Sequence, residues 1–351
     1  MKKAFSIVFF HLLFIVSAFT QTIETIGLGH HSVTFDRGFI IPHHEDMYHL
    51  YKPVHSLQYQ YLLPINNSST RLGALLYGAD LGSSILGKGY ALGLNMEKYW
   101  RPTKKNELSI GFAMGLGIVT NPYDVKTNDQ NRAIGSMGNA FGQLYVIGSH
   151  TVSKSLCINL GLRFSHFSNG AWKAPNLGIN IPSVSIGMSK KIRVPPIEQS
   201  ELKREYWRPF ASLRLGRKSL DIDDSRAFWV PVIELGAARS ISKTANLRMA
   251  IATHADPFYR FEKFETMKPF SISKGIDIGL SVGYHQYFGK WGMLFDLGWY
   301  LYKPNPGYKT PYFEALGITY SCNSNIMAMA RLKANKTTAD LIEWGFVYSF
   351  N

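Results

Sequence analysis

The sequence predicts an all-β protein, a transmembrane antiparallel β-barrel of about 12–16 strands, on three observations. Long segments alternate between apolar residues and small or polar ones. No run of about 18 apolar residues follows the N-terminal region, so no ordinary membrane-spanning helix is available. The composition is 14% aromatic and only 18% charged, with 31 Gly and 19 Tyr, which suits strands with one apolar and one polar face.

Alternation matters because successive side chains of a strand point to opposite faces, so a membrane strand carries lipid-facing residues at one parity and lumen-facing residues at the other. Leu108, Ile110, Phe112, Met114, Leu116 and Ile118 alternate with Ser109, Gly111, Ala113, Gly115 and Gly117. Ile276, Ile278, Leu280, Val282 and Tyr284 alternate with Asp277, Gly279, Ser281, Gly283 and His285. Trp291, Met293, Phe295, Leu297, Trp299 and Leu301 oppose Asp296 and Gly298, with aromatics at both ends as in interfacial girdles. The last such segment places Ile342, Trp344, Phe346, Tyr348 and Phe350 on one face and ends at Asn351, one residue past the aromatic on which such barrels often finish. A soluble β-sandwich would alternate too, but the aromatic rims and the export segment favour the membrane.

That export segment is read at 1–20, where Lys2 and Lys3 precede the apolar stretch Ala4 to Phe19 and Ser17-Ala18-Phe19-Thr20-Gln21 supplies small residues for cleavage. An N-terminal anchor is the alternative, although the apolar run is short for a spanning helix. The barrel is then expected over 21–351 as one domain. Turn-like stretches include Asn66-Asn67-Ser68-Ser69, Asn121-Pro122-Tyr123-Asp124 and Pro304-Asn305-Pro306-Gly307, and the polar stretch Val194 to Arg208 is expected to form a long loop rather than a domain break. Two cysteines, Cys157 and Cys322, permit one bridge but no disulfide framework.

The formal net charge is +14, but Lys and Arg are scattered and build no basic helix or RNA-binding motif, so nucleic acid is not an expected partner. Lipid phosphates in an outer leaflet fit better.

One segment breaks the alternation in an informative way. Leu156, Ile158, Leu160, Leu162 and Phe164 form a lipid-facing row that His166 and Ser168 continue. As the seventh strand of a barrel whose N-terminus is periplasmic, this strand would run outward and carry the pair at the outer-leaflet rim. An imidazole and a hydroxyl two residues apart on a strand share a face, so one can activate the other; a solvated polar rim has the same pattern. Arg163 has the opposite parity and should face the lumen, against Asp or Glu.

The run Arg163-Phe164-Ser165-His166-Phe167-Ser168-Asn169-Gly170, followed by Pro175-Asn176-Leu177-Gly178-Ile179-Asn180, resembles the signature of the lipid A 3-O-deacylase (PagL) family over about 30 residues. In that family an outer-membrane barrel carries a His-x-Ser-Asn motif and then an Asn-x-Gly element. The rest of the chain is much longer than the short eight-stranded members and looks more like enlarged acyloxyacyl hydrolase-like versions. The resemblance implies an outer-membrane esterase without cofactor that removes an ester-linked acyl chain from lipid A (lipopolysaccharide) of the outer leaflet. It assigns Ser168 as nucleophile, His166 as general base, and Asn169 with Gly170 as support for the oxyanion. The family's acid, usually Glu, falls at Asn180. Parity puts Asn180 on the face of Pro182, Val184, Ile186 and Met188, where it could touch His166 across the hairpin. An Asn carbonyl can hold the imidazole tautomer but cannot stabilise imidazolium by charge, so a slower enzyme or an inactive barrel, serving as a channel or structural protein, is the alternative.

Other polar clusters read as loops. His43-His44-Glu45-Asp46-Met47-Tyr48-His49 offers metal-ligand types without an element to fix them, and His30 and His31 have the same bland reading. Asp221, Asp223 and Asp224 lack the Gly and distal Glu of a calcium loop, though one could substitute for the missing acid through space. No metal site is expected.

Overall fold

A computed structural model describes residues 28–50, 52–65, 69–194, 206–219, 226–242, 244–257, 261–262, 266–267, 275–304, 310–336 and 338–350. The export segment, Asp221, Asp223 and Asp224, and the centre of the polar stretch at 195–205 lie outside them.

The described residues form two closed antiparallel barrels of eight strands each. The first contains β1 (Leu28–Phe39), β2 (Pro53–Pro64), β3 (Thr70–Asp80), β4 (Lys88–Trp100), β5 (Asn106–Val119), β6 (Gly138–Thr151), β7 (Leu156–Ser168) and β8 (Ile179–Arg193). The second contains β9 (Arg208–Ser219), β10 (Ala227–Ser242), β11 (Ala245–Ala255), β14 (Ile276–Phe288), β15 (Trp291–Tyr302), β16 (Tyr312–Ser321), β17 (Ile326–Asn335) and β18 (Thr338–Ser349). A two-stranded hairpin, β12 (Phe261–Glu262) with β13 (Thr266–Met267), lies between β11 and β14. Sixteen barrel strands fall within the expected range, but the expectation of a single barrel over 21–351 is corrected. The chain divides into two compact units, and Val194 to Arg208 leads from one barrel to the other. Strand alternation cannot reveal this, because it is the same for one large ring and two small ones; closure depends on which strand pairs with which.

Closure is what a lipid environment requires, since an unpaired N–H or C=O facing hydrocarbon costs several kcal/mol. In the first unit β1 pairs with both β2 and β8, and in the second β9 pairs with both β10 and β18, so neither sheet has an edge. Strands of the first unit run 11 to 15 residues, enough to span the apolar layer when tilted.

The faces follow the sequence parity. On β7, Leu156, Ile158, Leu160 and Leu162 are exposed on the outer wall, whereas Cys157, Asn159, Arg163, Ser165 and Phe167 are buried inside. On β15 the outward row holds except at Met293, which is buried. Both cysteines are free thiols.

Each lumen is filled rather than open, as expected when only eight strands close. In the first barrel Arg163 lies 3.2 Å from the Asp36 carboxylate and donates to Ser185 Oγ (2.8 Å) and Gln143 Oε1 (3.1 Å), as its lumen parity predicted. Deeper, the Arg71 guanidinium makes a two-pronged contact with Glu107 (2.7 and 2.9 Å) and also reaches Glu97. In the second barrel Arg214, Arg248 and Arg331 interleave with Glu234, Asp296 and Glu343, all buried.

One end of the first barrel has longer connections, 40–52, 81–87, 120–137 and 169–178; the other has 65–69, 101–105 and 152–155. Long loops mark the extracellular end of an outer-membrane barrel. That end is plugged by an apolar cluster that includes Ile40, Met47, Leu50, Tyr77, Phe141, Phe167 and Ile179. Because β7 runs toward it, the C-terminal end of β7 emerges there.

Candidate active site

The end of β7 is pinned from inside. Phe167 is fully buried and packs edge-on against Phe141 at 5.1 Å between centroids and against Tyr77 at 6.1 Å. With Phe167 held inward, the pleat turns its neighbours His166 and Ser168 to the outer wall. The two side chains therefore share a face at the long-loop end. Two residues of strand rise, ~3.3 Å each, separate their Cα atoms, a gap that an imidazole can span.

His166 pairs in register with Asn180 of β8, and its Nδ1 lies 2.7 Å from Asn180 Oδ1. The cross-hairpin contact anticipated from parity is present. Gly178, at a φ of 79°, passes so close to the imidazole that a Cβ there would stand 2.8 Å from His166 Cε1. Only glycine combines this left-handed backbone with that proximity at no steric cost. Gly178 N–H is anchored on Ala133 O at 3.1 Å.

Ser168 and Asn169 are buried, and one side chain ties them together: Asn176 Oδ1 accepts from Ser168 Oγ (3.2 Å) and from the Asn169 backbone N–H (2.9 Å). A single oxygen can thus stand within hydrogen-bond reach of both the hydroxyl and that N–H. Asn176 belongs to the Asn-x-Gly element, but its sequence position did not announce this link, which depends on the isolated bridge between Ile134 and Asn176. Gly170 adopts a φ of 59° just beyond, and residues 170–174 group with the second unit, so of the expected oxyanion pair only Asn169 stands in the first.

One residue that the sequence reading left in a polar loop enters the site. The segment after β1 forms a 3-10 helix, Glu45–Leu50, whose Met47 and Leu50 are fully buried in the apolar plug. Ile41 N–H donates to Asn180 O at 2.9 Å, fastening the start of this loop beside β8. His43 is thereby placed with Nδ1 3.2 Å from Asn180 Nδ2 and Nε2 2.7 Å from Leu177 O. The apolar spacing of Met47 and Leu50 within an otherwise polar stretch was the available signal. His44 and His49 do not join it: His44 contacts Asp46 at 3.4 Å and His49 the Gln130 carbonyl at 2.8 Å.

Among the described residues, one group has metal-ligand geometry, His30, Glu97 and Glu107, buried in the first lumen. Its carboxylates already bind Arg71, so the donor set is that of an internal ion-pair network and does not fit a cation.

The comparisons with known proteins divide the chain at the same place as the fold. Residues 55–189 match the family described as lipid A 3-O-deacylase (PagL), and residues 207–351 match the acyloxyacyl hydrolase C-terminal domain. Comparison with curated proteins finds none that matches. Among solved structures, the outer-membrane enzyme PagL is 16% identical with a TM-score of 0.34, covering 44% of this chain and 97% of its own. Neisserial surface protein A is 10% identical with a TM-score of 0.34, covering 48% and 98%. A Rh. blastica porin mutant is 8% identical with a TM-score of 0.20, covering 92% and 100%. The chain belongs to the lipid A 3-O-deacylase (PagL) and acyloxyacyl hydrolase-like family of outer-membrane barrels.

Proposed function

We propose that the protein is an outer-membrane esterase that hydrolyses an ester-linked acyl chain of lipid A, with Ser168 as nucleophile and His166 as general base. The observation that carries this reading is the contact of His166 Nδ1 with Asn180 Oδ1 at 2.7 Å at the long-loop end of β7, where the pleat puts residues 166 and 168 on one face of the strand.

The chemistry follows from the donors and acceptors present. Ser168 Oγ attacks the ester carbonyl carbon while His166 Nε2 takes the hydroxyl proton. The carbonyl oxygen becomes an oxyanion, which in this reading takes over the Asn169 N–H from the Asn176 oxygen that accepts from that N–H and from Ser168 Oγ. Collapse breaks the ester C–O bond, and the imidazolium returns its proton to the departing sugar oxygen. Water then attacks the acyl-serine with the same base, releasing the fatty acid and restoring Ser168.

Asn180 replaces a charged partner by a neutral one, so it orients His166 without electrostatic stabilisation of imidazolium. A slow enzyme is the consequence. The substrate lies in the leaflet around the barrel and arrives by lateral diffusion, and because Ser168 is buried its hydroxyl must be uncovered before it can attack. A passive pore is the competing role, and the buried ion pairs that fill the first lumen speak against it: a cavity there, lined by His30, Thr34, Glu97 and Arg163 among others, measures about 20 Å³.

The test is mass spectrometry of lipid A from cells expressing the wild type, Ser168→Ala or His166→Ala. A mass decrease of one acyl chain is expected with the wild type alone. Identical spectra with and without the wild-type protein would reject the esterase, and bilayer conductance measured on the same protein would then test the pore.

A further inference from the structure

The tautomer of His166 decides whether it can act as a base, and the surroundings of Asn180 decide that tautomer. His43 Nε2 lies 2.7 Å from the Leu177 carbonyl, an acceptor only, so Nε2 carries a proton. In the neutral ring Nδ1 is then an acceptor. The group 3.2 Å from it must be a donor, which is the Asn180 Nδ2 amide. The amide cannot turn without opposing its oxygen to the His43 lone pair, so Asn180 Oδ1 faces His166. Being an acceptor, Oδ1 requires a proton on His166 Nδ1, which leaves His166 Nε2 with its lone pair open. In the neutral Nε2–H ring each assignment leads to the next, starting from the Leu177 carbonyl. His43 Nδ1 also lies 3.2 Å from the Ile41 carbonyl, a contact that becomes a hydrogen bond when Nδ1 carries a proton, in the Nδ1–H tautomer or the doubly protonated ring. The Nε2–H ring is the neutral form that serves the shorter 2.7 Å contact to Leu177 O.

A carboxylate at position 180 would need no such help, because both its oxygens accept. An amide presents either an oxygen or an NH₂ group, and the wrong face would leave His166 Nδ1 unprotonated and move the proton to Nε2, where it blocks catalysis. We propose that His43 is a positioning residue: it fixes the orientation of the Asn180 amide and so holds His166 in the tautomer a general base needs. This rests on reading His166 as that base. It also accounts for the pairing of an amide at position 180 with a histidine on the loop after β1.

The test is a double-mutant comparison on the full-length protein, with deacylation rates on purified lipid A in detergent micelles. Alone, His43→Ala should lower kcat about tenfold with little change in KM, since loss of one hydrogen bond lets the amide turn. His43→Asn, which keeps an acceptor near the Nδ1 position, should restore most of the rate. In an Asn180→Asp background His43→Ala should change kcat less than about threefold, because there is no amide left to orient. An equal loss in both backgrounds would make His43 only a structural strut for its loop and would overturn the proposal, as would an unchanged kcat in the single variant. A second readout is independent of catalysis: ¹⁵N chemical shifts of the His166 ring should report the Nδ1–H tautomer in the wild type and gain the Nε2–H form in His43→Ala. If the wild type cleaves nothing, the esterase reading fails, and the ring tautomers alone still decide whether His43 orients Asn180.

Discussion

Asn180→Asp is the most informative single change at the site. The two side chains have the same shape, so the oxygen 2.7 Å from His166 Nδ1 stays where it is and gains a negative charge. When Ser168 gives up its proton the ring becomes cationic, with its charge centred about 4 Å from the carboxylate. At an effective dielectric constant of about 20 this attraction is roughly 4 kcal/mol. Part of it is spent on desolvating a half-buried carboxylate, and charge-assisted hydrogen bonds contribute about 1.5–3 kcal/mol net. A gain of about 2 kcal/mol in the transition state corresponds to roughly thirtyfold in rate. The expected outcome is that Asn180→Asp accelerates deacylation by about 10- to 100-fold, measured as fatty acid released from lipid A by chromatography. A variant that is folded in the outer membrane but no faster than wild type would refute the assignment of position 180 as the partner of the base.

Three further outcomes follow from the geometry. Gly178→Ala places a methyl 2.8 Å from His166 Cε1 at a φ of 79°, so it should cut activity at least tenfold while the barrel still assembles, checked by the heat-dependent gel shift of folded barrels. Glu343→Gln removes one of three buried carboxylates facing Arg214, Arg248 and Arg331 in the second barrel. An uncompensated cation should then cost about 3–5 kcal/mol in urea unfolding, whereas a loss below about 1 kcal/mol would show the network to be slack. Leu162→Arg, on the lipid-facing row of β7, should destabilise insertion into vesicles by about 2–4 kcal/mol, and Leu162→Phe should be close to neutral.

Much of this protein was set by local chemistry. Period-two alternation, aromatic rims and the missing apolar helix determined that the chain crosses a membrane with strands, because side-chain direction along a strand needs no knowledge of neighbours. The same rule put Arg163 inside, His166 and Ser168 together on the outside, and Asn180 opposite His166. Tertiary structure decided the rest. Whether sixteen strands close as one ring or two depends on the pairing of β1 with β8 and of β9 with β18, and hydrogen bonds between distant backbones leave no trace in side-chain pattern. The contact of Asn176 with Ser168 and Asn169, and the arrival of His43 beside Asn180, are likewise products of packing. Met47 and Leu50 had to bury themselves in the plug before a polar loop could bring its histidine to the wall, and burial of that kind is a property of the closed barrel, not of the residues that undergo it.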